Sequence, residues 1–207
     1  FRTWNYMFSY EYNGFDQTSE SDWNTTDFRV STVLGPKLGT VTIGKIKEPF
    51  SYEMVGDAAN LPHHERLLSP FFRSRNDGVT LGNAVFDQRA TWVVGWYNDW
   101  LTQGTSWSDS GNDFAGRITV LPIWSDDGAN YLHLAASTRY YGAVGDQLRY
   151  KGKPASNVAD DFVDTGKVPG DHAWHTGVEA LLNHGGYSLL AEYIRADLST
   201  RDDRDPT

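Results

Sequence analysis

The 207-residue chain has no cysteine. A disulfide framework and a thiolate metal site are therefore both excluded, and cysteine usage says nothing about redox compartment. Long apolar runs are also missing. Nothing approaches the ~18 to 20 residues that a membrane-spanning helix needs, and no basic stretch followed by an apolar one opens the chain. Helical periodicity is nearly absent. Positive charge is scarce as well: 18 Lys and Arg against 27 Asp and Glu give a net charge of -9. Without a basic stripe, nucleic acid is not an expected partner. There is no nucleophile elbow, no phosphate-cradling glycine loop and no catalytic histidine motif, so an enzyme is not expected and no cofactor is implied.

Aromatic residues are plentiful at 14 %, with 8 Trp and 11 Tyr against 10 Phe, in a chain that is only 39 % apolar with a mean hydropathy of -0.53. The apolar residues are spread thinly in alternation. Nine segments of period 2 lie at about residues 1–11, 28–34, 38–47, 78–86, 89–98, 115–124, 130–141, 173–183 and 187–196. Segments of 8 to 11 residues cross a bilayer as tilted strands. Short links of Gly, Asn and Asp ("GPKLG", "DQ", "SDDGAN", "NHGG") alternate with long polar links at residues 12–27, 48–77, 99–114 and 142–172. Short turns at one end and long loops at the other predict an antiparallel up-and-down transmembrane β-barrel, with periplasmic turns and extracellular loops.

The faces agree with that expectation. Leu132, Leu134, Ala136 and Tyr140 alternate with His133, Ser137 and Arg139; Trp92, Val94 and Trp96 with Arg89, Thr91, Gly95 and Tyr97; Ile118, Val120 and Trp124 with Arg117 and Thr119. A four-residue "NHGG" turn would pair Leu182 with Tyr187 and Val178 with Ala191, leaving Glu179 and Glu192 as diagonal neighbours on the polar face. Pro122 cannot donate to a ladder and marks a bulge. The competing fold is a soluble aromatic-rich β-sandwich that binds carbohydrate, its Trp residues serving as stacking platforms.

Five stretches carry a family resemblance: Gly44-Lys45-Ile46-Lys47-Glu48-Pro49-Phe50, then Glu65-Arg66, "RNDGVTLGN" from Arg75, "VVGWYND", and "LLAEYIRA". In this order and spacing the chain resembles the phosphate-selective porin O and P family, most closely over residues 39–100. The resemblance implies a sixteen-strand trimeric barrel in the outer membrane of a Gram-negative-type bacterium, in contact with lipid and lipopolysaccharide and conducting small anions such as phosphate. This chain would supply about nine central strands, as one domain over residues 1–207 that continues beyond both ends. The arginine ladder and lysine cluster of the family's phosphate-selective members do not map onto this chain residue by residue.

On the faces read above, Arg29, Arg89, Arg117 and Arg139 are expected to point into the lumen, together with Lys47. Arg117 and Arg139 would stand almost opposite each other near the extracellular end, an arrangement that calls for an anion or water between them. The alternative is that these arginines pair with Glu11, Glu179, Glu192 or loop acids. The segment 48–77 resembles the loop that folds into the barrel and narrows it, with Arg66, Arg73 and Arg75 at the constriction. Whether Lys45 and Lys47 face lumen or lipid is left open, because they share parity with Val41 and Ile43. His63-His64 and His172-x-x-His175 are the only hints of metal, and no metal is expected. Glu179 and Glu192 would also serve as a glycosidase pair, but nothing in the sequence separates their roles.

Overall fold

A computed structural model describes residues 3–12, 23–57, 61, 66–98, 100, 106–125, 128–153 and 159–199. Nine long strands form one antiparallel sheet in which each strand pairs with the preceding and following ones. They are β1 (Trp4–Tyr12), β2 (Trp23–Gly35), β3 (Gly39–Ile46), β4 (Asn76–Val85), β5 (Ala90–Asn98), β6 (Asn112–Trp124), β7 (Asn130–Gly142), β12 (His172–His184) and β13 (Tyr187–Ser199). Between β7 and β12, β8 (Gln147–Leu148) pairs with β11 (Val168–Pro169), and β9 (Lys151–Gly152) with β10 (Val163–Asp164). The sheet is open, with β1 and β13 at its edges.

Five of the nine strands reach 13 residues. At ~3.3 Å per residue each extends about 43 Å, so residues expected in the long links, such as Asp113, lie within strands. Short turns close the opposite end. Phe86, Asp87 and Gln88 all take positive φ between β4 and β5. Gly185 and Gly186 join β12 to β13 in a two-residue turn that pairs His184 with Tyr187, Leu182 with Leu189 and Glu179 directly with Glu192. The expected four-residue turn is thus corrected by two positions. A slip of two leaves every face unchanged, so the pattern alone had no means of detecting it.

The bulge expected at Pro122 is present: the register with β7 shifts between Val120 and Ile123. Trp124 pairs with Tyr131, the ring centroids 6.1 Å apart, and Ile123 takes the place opposite Leu132, so Trp124 leaves the apolar face on which it was expected.

One face of the sheet is apolar and open: Tyr6 is 87 % exposed and Ile118 60 %, and Phe8, Phe28, Ile43, Val94, Phe114, Val178, Leu189 and Tyr193 accompany them. The other face is polar and covered, with Asp113, His175, Arg139 and Glu179 all buried. A sandwich that folds in water does the reverse. Apolar outside and ionisable inside is the arrangement of a barrel wall between lipid and an aqueous lumen.

Candidate functional site

The covered face lies beneath the described residues of the segment that leaves the end of β3 and returns into β4, namely 47–57 and 66–75. Pro49 sets the departure, since its fixed φ and missing N–H end the strand. The Phe50 N–H donates to the Glu48 carbonyl across it at 2.9 Å, a tight three-residue turn. Phe50 is fully buried, 6.1 Å from His175 between ring centroids and against the bare backbone of Gly177. A single helical turn follows, α1 (Tyr52–Val55). The Tyr52 and Glu53 amides donate to the two carboxylate oxygens of Glu192 on β13 at 2.9 and 3.4 Å, so a strand residue caps the helix start. Tyr52 rests on His133 and Phe71 on Tyr150, with centroids 5.9 and 5.7 Å apart. The Leu68 amide donates to the Glu53 carboxylate at 2.8 Å. Leu67 remains exposed.

One charged knot fixes this strap to the wall, and a second ties wall strands to each other. In the first, Arg139 on β7 donates through Nε to Glu48 of the strap and through a terminal nitrogen to Asp113 on β6 at 3.0 Å. Asn76 Nδ2 donates to Glu48 at 2.9 Å and to Asp113 at 3.3 Å, and the Gly142 amide to Asp113 at 3.1 Å. The guanidinium also stands 4.8 Å over the Tyr141 ring. In the second, Arg117 Nε donates to Glu179 at 2.7 Å, and His133 Nε2 lies 3.6 Å from the same carboxylate. Beside the first knot Tyr97 is wholly buried on a bed of Gly78 and Gly95, where a Cβ on Gly95 would come within 2.3 Å of its hydroxyl oxygen.

Arg117 and Arg139 are therefore neighbours on the expected face, on diagonal positions of the β6/β7 ladder, since Arg117 pairs with Ser137 and Arg139 with Ala115. Each is paired with carboxylates, Arg117 with Glu179 and Arg139 with Glu48 and Asp113. Arg29 lies mid-strand on β2, on the same face, and donates to Met7 Sδ at 3.2 Å. Arg89 lies in the exposed β4–β5 turn rather than on the strand wall. Arg75 bridges to Asp27 at 2.9 Å. Arg66 Nε donates to the Glu53 carbonyl at 2.6 Å, and Lys47 Nζ to the Gly56 carbonyl at 3.2 Å. Burial lowers the Lys47 ammonium below its ordinary pKa, and the positive charges of Arg66 and Arg75 lower it further against the pull of Asp27 and Asp57. Arg73 is close enough to the first knot to act on Asp113.

Lys45 stays on the apolar face with Val41 and Ile43, opposite Phe28 and Asp77 in the ladders, whereas Lys47, beyond the strand end, turns under the strap. The two lysines that share parity in the sequence are thus parted by the bend. His172 and His175 fall on opposite faces: His172 stacks on Tyr140, and His175 Nε2 meets the Tyr150 hydroxyl at 2.9 Å. They have no common metal site, because residues three apart in a strand point opposite ways. His63 and His64, like Glu65, lie outside the described residues. No metal-holding group of three His, Cys, Asp or Glu occurs among the described residues. Glu179 and Glu192 stand directly across the ladder, each engaged as above. In the long link at residues 142–172, Arg149 pairs with Asp164 and Lys151 with Asp161, both exposed; Arg149 holds the Asp164 carboxyl well below the usual range.

Sequence reasoning missed Glu48, Asn76, Asp113, His175 and Tyr150 as parts of this assembly. Glu48 carried a signal, as the acid immediately before the strand-ending proline. Asp113 did not, because its residue was read as loop and had no parity.

An apolar outer face, a polar inner face and a strap folded across that inner face are the features of a porin-type wall, built here from consecutive antiparallel strands. The family described as phosphate-selective porin O and P matches residues 1–207, and the chain belongs to it. It is a family of channels rather than of enzymes. No individual curated protein matches the chain.

Proposed function

We propose that the protein is a passive diffusion channel favouring small anions, phosphate among them, across the outer membrane of a Gram-negative bacterium. It works as one barrel domain within a homotrimer. The observation that carries this is the convergence of Lys47, Arg66 and Arg75 at the base of the strap, close enough for the two guanidiniums to act on the lysine. Two of the three donate to backbone carbonyls, which hold the side chain without cancelling its charge. Arg117 and Arg139 lie among carboxylates and contribute less net field. Arg29 adds a cation to a wall otherwise furnished with hydroxyls, including Ser31, Thr42 and Thr80. Clustered cations lower the barrier to anion entry, and carbonyl-held charge binds weakly enough for release. Arg73 adds to the same positive segment. Arg89, on the turn, meets solutes only at the opposite mouth.

Reversal potentials in planar bilayers under a salt gradient test the proposal. Anion selectivity is expected, and it should fall in a Lys47→Gln, Arg66→Gln double variant. Cation selectivity in the parent protein would overturn the anion claim, and absence of conductance the channel claim.

A further inference from the structure

On the outer face a groove of about 530 Å³ runs down β2 to β5. Val30, Val41, Ile43 and Val79 lie along it, Trp4 and Phe28 on one flank, and Trp96 with Trp107 on the other. Trp107, beyond β5, lies 5.1 Å from Trp96 between centroids and 5.9 Å from Trp100, so Trp100 and Trp107 rest against this outer face. The groove is apolar except at its loop-side end, where Lys45, Asp77 and Asn98 line it. Asp77 faces Lys45 across the ladder, but no salt bridge joins Lys45 to a described residue. From Lys45 to Val41 the strand runs about 13 Å, or roughly 9–11 Å along the membrane normal at the ~35–45° tilt of barrel strands, which is most of the ~15 Å depth of one leaflet in a hydrocarbon core of ~30 Å.

We infer that this groove seats an acyl chain of a phosphorylated lipid of the outer leaflet, with Lys45 on its phosphate. An aliphatic trough that reaches most of the way through one leaflet, closed by aromatic walls and carrying an ammonium at its headgroup end, is complementary to a chain with an anionic head. The inference rests on the porin assignment of this face to lipid. Apolar aromatic sheet faces also join copies of a chain; the single charged end and the trough shape favour lipid.

The test is native mass spectrometry of the detergent-solubilised protein with dipalmitoyl phosphatidic acid, and with dipalmitoyl phosphatidylcholine as the uncharged-overall counterpart. Phosphatidic acid should be retained preferentially. Val79→Trp, which fills the trough, should reduce retention of both lipids at least tenfold, and Lys45→Gln should remove about fivefold of the preference for phosphatidic acid. Ile43→Phe replaces Val79→Trp if the latter fails to show heat-modifiable migration, and Lys45→Gln, at the rim, tests the headgroup contact without altering the trough. Unchanged lipid retention in the filled variant and Lys45→Gln would overturn the proposal. So would a filled variant that loses its oligomer while keeping its lipids, which would assign the groove to a second copy. A protein that purifies without detergent would instead overturn the porin reading itself.

Discussion

Arg139 is the residue whose loss should release the strap. The residue is 4 % exposed, and its guanidinium is the shared partner of Glu48 on the strap and Asp113 on the wall. Arg139→Met leaves two buried carboxylates facing each other, with Asn76 and the Gly142 amide as their remaining donors. Removing one partner of such a buried pair costs about 3–5 kcal/mol, or roughly 150- to 4,000-fold in the ratio of docked to released strap at ~1.4 kcal/mol per decade. Phe50 and Met54 are both fully buried and together oppose release by about 3–6 kcal/mol. The two magnitudes are comparable, so the variant should fluctuate between docked and released forms rather than lose the strap outright. Single-channel recording of Arg139→Met should show a new population of larger conductance steps that is rare in the parent. Glu48→Gln combined with Arg139→Met should suppress part of it, because the buried negative charge is halved; the double-mutant cycle should give a coupling above ~1 kcal/mol. A current histogram for Arg139→Met indistinguishable from the parent, with an unchanged unfolding midpoint, would refute the latch.

Lys47 makes selectivity depend on pH. Its folded pKa lies below the ordinary lysine value, so the ammonium is lost, and anion preference with it, at lower pH than for a free lysine near 10.4. The folded state gains stability as pH rises through that window, since the repelled charge disappears there first. Reversal potentials should drift toward zero on alkaline titration of the parent and stay level in Lys47→Arg. Gly95→Ala drives a Cβ into the buried Tyr97 ring and should destabilise by about 1–3 kcal/mol, partly recovered in combination with Tyr97→Phe; urea unfolding in micelles followed by Trp fluorescence measures both. Glu192→Ala removes the acceptor of the Tyr52 and Glu53 amides and should weaken docking of α1 by about 1 kcal/mol, read as briefer dwell times of the docked conductance level.

Sequence alone determined which side chains share a face. Alternation has a strict period of two, and a strand has only two faces, so Arg117, Arg139 and Glu179 were separable from Ile118, Tyr140 and Val178 without coordinates. It also determined that Pro49 ends a strand and Pro122 disturbs one, because both follow from a missing donor. The tertiary structure decided who meets whom. The two-residue turn at Gly185-Gly186 set Glu179 opposite Glu192, and the bulge after Val120 turned Trp124 to the other face; local pattern is blind to a slip of two and to which side of a proline absorbs the extra residue. Most of all, the bend at Pro49 carried Glu48 across the sheet to Arg139, 91 positions away. That contact depends on where the chain after β3 comes to rest, and the resting place of its described residues is set by partners on β6, β7, β12 and β13 acting together.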